Sequence, residues 1–260
     1  MQPNYQSVSV LDLVPFGQTS RAHKFFALRL SHPGWEEWHA GQFLILRPQN
    51  FGLEIPWGRA FCICHLTRHN LVIFFEARGK GTERISRLQP GDTVRIWGPL
   101  GNWFDIEHDK PTLIIAGGMG IAPFVGYVAR HPRPWNISML FGHRHPAGCY
   151  PIDSINEHIP VDSLQEDNSG DLDNFIFSIR ERMRDCAEQD GLILACGPTP
   201  LLKLIQKFSI ELDCRCQISL ENRMACGIGA CLGCVIGDSQ GHFVQTCTHG
   251  PVFAAKDVML

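Results

Sequence analysis

The sequence predicts a multidomain chain: an antiparallel β-barrel, then an α/β domain built on a parallel sheet, then a small cysteine-bearing module. Three observations carry this. The first hundred residues alternate short apolar runs with turn formers. From Pro111 onward, apolar strands alternate with helical patterns. Four late cysteines, Cys226, Cys231, Cys234 and Cys247, follow the spacing C-x4-C-x2-C-x12-C. A length of 260 residues leaves room for two domains and a small third.

In the first segment, residues 25–30, 42–46, 70–75 and 93–97 are rich in Phe, Leu, Ile and Val, the composition of strands. Pro33-Gly34, Ala40-Gly41, Arg68-His69-Asn70 and Pro90-Gly91-Asp92 punctuate them. Residues 59–62 open another apolar strand, and one short helical pattern, residues 82–88, interrupts the series. Strands so spaced, without alternating helices, predict a small antiparallel barrel over residues 1–106.

The second segment has a different grammar. Residues 112–116 form a continuous apolar run, the pattern of a strand buried on both faces, followed by a glycine turn and an apolar helical run over 122–129. Residues 137–141 and 191–195 are further strands, and helical patterns cover 175–186 and 200–208. Alternation of this kind calls for a parallel sheet, assigned to residues 107–212. The acidic stretch 165–173 reads as a solvated loop. The third segment, residues 213–260, carries the four cysteines.

Three thiolates on one small-residue loop, with a fourth a dozen residues on, is the ligand spacing of a plant-type [2Fe–2S] cluster. Gly227, Gly229 and Gly233 let the backbone wrap closely and aim amides at the sulfurs. The alternatives are a zinc site, which more often shows two C-x2-C pairs set farther apart, and unliganded thiols. Cys62 with Cys64, and Cys214 with Cys216, stand two apart, so each pair shares a face with poor disulfide geometry and reads as core thiols.

Two places in the earlier segments suit nucleotides. Arg59, Ala60, Phe61 and Cys62, with the Gly79-Lys80-Gly81-Thr82 turn, suggest a flavin site. The ring system needs a flat apolar wall and hydrogen bonds from a strand backbone, and the pyrophosphate needs a cation and free amides. The structural readings of the same residues are a surface arginine and a helix cap at Thr82. Residues 117–123 (GGMGIAP) lie between a strand and a helix, where a dinucleotide phosphate can approach the backbone, although the spacing is not G-x-G-x-x-G. A tight turn without ligand is the alternative. Cys196-Gly197-Pro198 follows the third strand, so Cys196 either borders a nicotinamide or is a buried, inert thiol. His143 and His145 also follow a strand, where a phosphate contact and a solvated loop are both open readings.

Together, the barrel motif R-x-F/Y-S/T, the G-G-x-G-x-A-P turn and the late C-G-P are similar to the landmarks of the ferredoxin–NADP reductase superfamily. The string over residues 219–234 (SLENRMACGIGACLGC), with Cys247 and Gly250-Pro251-Val252-Phe253, resembles the electron-transfer subunits of class B, NAD-dependent dihydroorotate dehydrogenases. The resemblance implies one subunit of a heterotetrameric oxidoreductase of pyrimidine biosynthesis, whose FMN-containing partner oxidises dihydroorotate. It implies that electrons pass through a [2Fe–2S] cluster and FAD in this chain to NAD+, its substrate, because a flavin is needed between a one-electron carrier and a hydride acceptor. It implies FAD contacts at Arg59, Ala60, Phe61, Cys62, Phe74, Phe75, Glu76, Gly81 and Thr82, and cluster ligands at the four cysteines. Gly117, Gly118, Met119, Gly120, Ala122, Pro123, Cys196, Gly197 and Pro198 would face the nicotinamide nucleotide. No catalytic base or pyrimidine pocket is read in this chain. Cys62 stands where the family usually has Ser or Thr, a stronger donor to the flavin than a thiol, and Glu76 stands near a position that is usually basic. Other readings are a related FAD/[2Fe–2S] NAD(P)H reductase subunit of a hydrogenase, sulfur- or ferredoxin-linked complex, and a non-enzymatic zinc-binding module.

Composition narrows the partners. A net charge of -3 with no basic face gives no support for nucleic-acid binding. The most apolar stretch, residues 112–129, is interrupted by Gly117, Gly118, Gly120 and Pro123 and is short for a bilayer, so no membrane partner is expected. The opening residues lack the charged and apolar regions of a secretory signal, which assigns the eleven cysteines to the reducing cytoplasm.

Overall fold

The computed structural model describes residues 4–17 and 24–260; residues 1–3 and 18–23, part of the stretch on which the absence of a leader is read, lie outside it. The first sheet comprises β1 (Asn4–Phe16), β2 (Phe25–Ser31), β3 (Phe43–Pro48), β4 (Arg59–Cys62), β5 (His65–Leu66), β6 (Asn70–Glu76) and β7 (Thr93–Leu100). Their order is β4-β3-β7-β1-β2-β6-β5, antiparallel throughout. The two ends of this order are one stretch of chain. β4 runs into β5 through Ile63 and Cys64, whose amides donate to the Gln42 and Val72 carbonyls at 3.0 Å each. Residues 59–66 therefore curl the sheet into the barrel that the strand spacing predicts. Leu28, Leu30, Leu44, Leu46, Ile73, Val94 and Ile96 fill its interior. The β1 strand, absent from the predicted set, pairs β2 on one side and β7 on the other. The helix α1 (Lys80–Ile85) starts two residues before the expected 82, because Gly79 is its N-cap.

The second sheet is built from β8 (Thr112–Gly117), α2 (Ala122–Arg130), β9 (Ile137–His143), α3 (Ile152–Asn156), β10 (Val161–Gln165), α4 (Ser169–Glu188), β11 (Leu192–Cys196), α5 (Thr199–Glu211) and β12 (Arg215–Ser219). The strand period of two sorts each buried strand between the layers. Ile114, Ala116, Leu192 and Leu194 face the barrel side with α2 and α3, whereas Leu113, Ile115, Ile193 and Ala195 face α4 and α5. The stretch expected as a solvated loop, residues 165–173, instead ends β10 and starts α4. Asn168 caps that helix: its Oδ1 accepts from the Gly170 and Asp171 amides, while the Asp171 carboxylate accepts from the Asn168 amide. This reciprocal box commits a polar run to helix.

The C-terminal segment adds β13 (Val235–Gly237), β14 (Phe243–Gln245), α6 (Thr246–His249) and β15 (Val252–Ala254). β15 pairs antiparallel with β12, and the six-strand order is β10-β9-β8-β11-β12-β15. Thus β12 and β15, which flank the cysteine loop, belong to the parallel-sheet layer, and the loop itself returns to the barrel. Phe43, Ile45 and Leu100 on the outside of β3 and β7 pack against Cys234 and Cys247. The Trp97 indole donates to the Cys226 carbonyl at 3.0 Å. Among the described residues, no helix is long and apolar enough to cross a membrane.

Candidate functional site

A cleft of about 380 Å³ opens where the barrel, the glycine turn after β8 and the C-terminal segment meet. Arg59, Ala60, Phe61, Cys62, Phe74, Phe75, Glu76, Gly81 and Thr82 all line it, together with Met119 and Ala122 of the turn. Its two long walls are strand edges. β4 is the first strand in the sheet order, and β5 covers β6 only at Leu71 and Val72, so the outer edge of residues 73–76 has no strand beside it. Such edges present backbone donors and acceptors to a planar heteroaromatic ring, with Phe61, Phe74 and Phe75 supplying the apolar surface.

At one end the cleft is cationic. Arg59 lies over the Phe51 ring at 5.8 Å, and its Nη1 donates to the Trp57 and Gly58 carbonyls. A Cβ on Gly81 would stand 2.6 Å from the Arg59 Nε, so only glycine there lets the guanidinium reach the turn. Thr82 uses its hydroxyl locally: it accepts from the Arg78 and Gly79 amides and donates to the Gly79 carbonyl. Its cap reading therefore describes its contacts fully. Arg78, Gly79, Lys80 and Glu221 complete the lining and go unassigned by sequence. Lys80, set between two glycines, is the one of these with a local signal. Arg78 spans the mouth between Glu76 at 4.0 Å and Glu221 at 3.9 Å.

Cys62 is held as a protonated thiol. Burial pushes its pKa well up, with Cys196 and Cys64 adding to the effect, and its Sγ donates to the Gln42 carbonyl at 3.6 Å. Burial likewise pushes Cys196 up to about 12, with Glu221 adding to it. Neither thiol is a nucleophile in this state.

The nucleotide turns meet at the β8–β11 boundary. A Cβ on Gly120 would stand 2.1 Å from the Cys196 carbonyl oxygen, and one on Gly117 would strike Leu201 and Pro198. Gly117, Gly120, Cys196, Gly197 and Pro198 are thus brought together at the carboxyl edge of the sheet. Gly118 adopts φ +51°, in open space, so there conformation alone calls for glycine. Pro123 sits in the first turn of α2, where its missing amide costs little. Strand order reverses between β8 and β11, the place where open α/β sheets bind ligands.

The four cysteines stand as two pairs: the Cys226 and Cys231 thiols are hydrogen-bonded neighbours, as are Cys234 and Cys247. Two pairs suit a two-iron cluster, in which each iron takes two terminal thiolates; a single zinc ion needs all four around one point. The Gly229 amide donates to the Cys247 sulfur and the Cys231 amide to the Cys226 sulfur, at 3.2 and 3.4 Å. For Cys226, burial raises the pKa, but the amides of Ile228, Cys231 and Ala230 and the Cys231 thiol outweigh it and bring the value down to about 7. Gly227 and Gly229 take φ of +71° and +79° to make this loop, and a Cβ on Gly227 would collide with Leu100. Cys234 and Cys247 are buried and Cys231 is exposed. On the inner side, Ala60 packs against the apolar group that contains Cys234 and Cys247, while also lining the cleft.

Residues 221–259 match the family model of the iron–sulfur cluster binding domain of dihydroorotate dehydrogenase B. The chain is 34% identical over 224 residues to the electron transfer subunit of dihydroorotate dehydrogenase B (NAD(+)) from Caldanaerobacter subterraneus, covering 85% of this chain and 87% of that one. It is 30% identical over 250 residues to the subunit of the same description from Listeria monocytogenes, covering 94% and 96%. In fold it is similar to an NADH-dependent reduced ferredoxin–NADP oxidoreductase, with a TM-score of 0.79 at 21% identity, over 97% of this chain and 89% of that chain. A ferredoxin–NADP+ reductase from Plasmodium falciparum superposes with a TM-score of 0.65 at 14% identity, over 83% and 96%.

Proposed function

The chain belongs to the family of electron transfer subunits of dihydroorotate dehydrogenase B, and from that premise we propose that it carries electrons from a dihydroorotate-oxidising partner subunit to NAD+. The observation that carries this reading is the double role of Ala60, which lines the ring cleft and packs beside Cys234 and Cys247. One strand thickness separates the two proposed cofactor sites. A bound [2Fe–2S] cluster supplies one-electron transfer, and a bound FAD supplies the exchange between single electrons and a hydride.

This chain's own residues hold and insulate those groups. Cys226 and Cys231 would take one iron and Cys234 and Cys247 the other, with the Gly229 and Cys231 amides stabilising sulfur charge. The free edges of β4 and β6 would hydrogen-bond the flavin ring, and Arg59 and Lys80 would meet its pyrophosphate. Gly117, Gly118, Gly120 and Pro123 would admit the NAD phosphates to the backbone, leaving Met119, Ala122, Cys196, Gly197 and Pro198 around the nicotinamide. Ile228 and Leu232, 55% and 59% exposed beside Cys231, would give the FMN-containing partner an apolar landing surface over the cluster. All eleven thiols are free, which suits a reducing cytoplasm.

Anaerobic purification tests the reading. The chain is expected to hold about one FAD and two iron atoms, to reduce ferricyanide with NADH, and to oxidise dihydroorotate only when its partner is added. A folded chain that reconstitutes with neither flavin nor iron would sink it.

A further inference from the structure

We propose that Glu166, held by Arg144, reads the 2′-hydroxyl of the adenosine ribose and rejects a 2′-phosphate, so that this residue sets the choice of NAD over NADP. The inference rests on the nucleotide site proposed above and assigns its specificity.

Sheet topology locates the adenosine half. Met119 and Ala122 line the flavin cleft, and Cys196 follows β11, so the nicotinamide end points toward β11 and the barrel. The phosphates lie at the turn after β8. The rest of the nucleotide must then run the other way, across the carboxyl ends of β9 and β10, the next strands in order. Gln165 is paired in register with His143, so Arg144 and Glu166 are the first residues beyond those two strands. The Glu166 amide donates to the His143 carbonyl at 2.8 Å, which fixes the backbone of both loops together.

The side chains meet there. Arg144 Nε donates to Glu166 Oε2 at 2.9 Å and Nη2 to Oε1 at 3.4 Å, a two-pronged pair. The guanidinium is exposed, whereas the carboxylate is about two-thirds covered. Beneath them His143 is buried and hydrogen-bonded on both ring nitrogens, to the His145 carbonyl and the Ser163 hydroxyl. Burial lowers its pKa, so it brings no charge to the loop.

An acidic side chain at this edge accepts hydrogen bonds from a ribose hydroxyl, whereas a free arginine accommodates a 2′-phosphate. Here the arginine is not free. Its charge is matched by Glu166, and a phosphate of nearly two negative charges would have to displace that carboxylate or lie against it. Removing the carboxylate reverses both terms at once: the ribose loses an acceptor and Arg144 is released to bind phosphate.

The test uses the chain loaded with FAD and cluster, with ferricyanide as acceptor, and compares kcat/KM for NADH and NADPH. The wild type is expected to prefer NADH by about a hundredfold or more. In Glu166→Ser the NADH value falls about tenfold, mainly through KM, on the scale of one lost charge-assisted hydrogen bond. The NADPH value rises, so the preference shrinks by at least about tenfold. Glu166→Gln, which keeps the shape, moves the ratio in the same direction by less. Arg144→Ala added to Glu166→Ser removes the gain with NADPH. A wild-type preference for NADPH, or unchanged ratios in both Glu166 variants, overturns the assignment. A loaded wild type that oxidises neither nucleotide, and whose flavin is not reduced by excess NADH, overturns the nucleotide site itself; a wild type that oxidises NADH while the variant ratios stay fixed overturns only the role of Glu166.

Discussion

Replacing Gly81 by Ala separates flavin binding from folding. The added Cβ would stand 2.6 Å from Nε and 2.9 Å from Cζ of Arg59, both at the far end of a flexible side chain. The guanidinium can swing away, so the fold survives while the cation leaves the cleft. On the stability side, alanine gains up to about 1 kcal/mol over glycine inside a helix. Arg59 gives up its contact with Phe51, worth roughly 0.5–1 kcal/mol at a partly exposed site. The two nearly cancel, and the apo-protein Tm is expected to stay within about 3 °C of wild type. On the binding side, charge-assisted hydrogen bonds to a pyrophosphate are worth roughly 1.5–3 kcal/mol, so the FAD dissociation constant should rise about 10- to 100-fold. Fluorescence titration of the apoprotein with FAD measures the second quantity and differential scanning fluorimetry the first. Gly148→Ala is the control, because nothing lies within 4 Å of its Cβ position. Wild-type FAD affinity in Gly81→Ala would refute Arg59 as the pyrophosphate cation. A Tm loss beyond about 6 °C would refute the claim that the clash is absorbed by the side chain alone.

Gly120→Ala behaves differently, because its clash is with the Cys196 backbone at 2.1 Å, which cannot swing aside. Overpacking of about 2–3 kcal/mol should lower Tm by roughly 5–10 °C and depress NADH oxidation; an unchanged thermogram would count against the contact between the two turns. Cys247→Ser should cut iron from about two atoms per chain to below one and abolish the cluster's visible absorbance, with FAD content retained. Full iron occupancy in that variant would remove Cys247 from the ligand set. Burial lowers the pKa of His65, His131 and His143 below the ordinary 6.5. The unfolded chain therefore binds protons first as pH falls. The contribution of these neutral histidines is complete above about pH 6.5 and is lost progressively as pH drops through 6.5 toward the folded values. Tm should fall from pH 7.5 to 5.5, and less steeply in His143→Gln; an identical slope in that variant would contradict the burial effect at His143.

What the sequence discloses and what it hides follow from physical chemistry. The cysteine loop, the glycine turn and the buried strands β8, β9 and β11 are legible because each rests on local chemistry: ligand spacing, steric freedom, or an unbroken apolar run. The strands β10 and β12 carry Asp162, Ser163, Arg215 and Gln217, so their pattern is too polar or too broken to register as sheet. They form because a neighbouring strand offers its edge, a property of the fold and not of the segment. The same holds for β1, whose register slips between Val10 and Asp12 where it meets β2. In the cleft, residues on β4, β6 and α1 are legible because they cluster in short motifs. Glu221 is hidden: only the return of the chain past β12 brings it opposite Glu76, with Arg78 between them.

The position of β4 explains why one small module can serve a flavin in another domain. In the barrel order β4 has a neighbour on one side only, so its free edge is available to a ring lying in the cleft. Its partner β3 is buried on both faces, unlike an ordinary half-exposed barrel strand, because Phe43 and Ile45 face outward into the group that holds Cys234 and Cys247. Ile45 and Ala60 are cross-strand partners on that outer surface. A large residue at position 60 would push the cysteine loop away from the strand, and a polar one at 45 would leave an unpaired group in an apolar contact. Electron tunnelling weakens steeply with separation, so the smallness of Ala60 and the apolarity of Ile45 act on rate as well as on stability. The β3–β4 hairpin is therefore the element on which the two halves of the electron path depend together: its edge positions one cofactor, and its outer face positions the other.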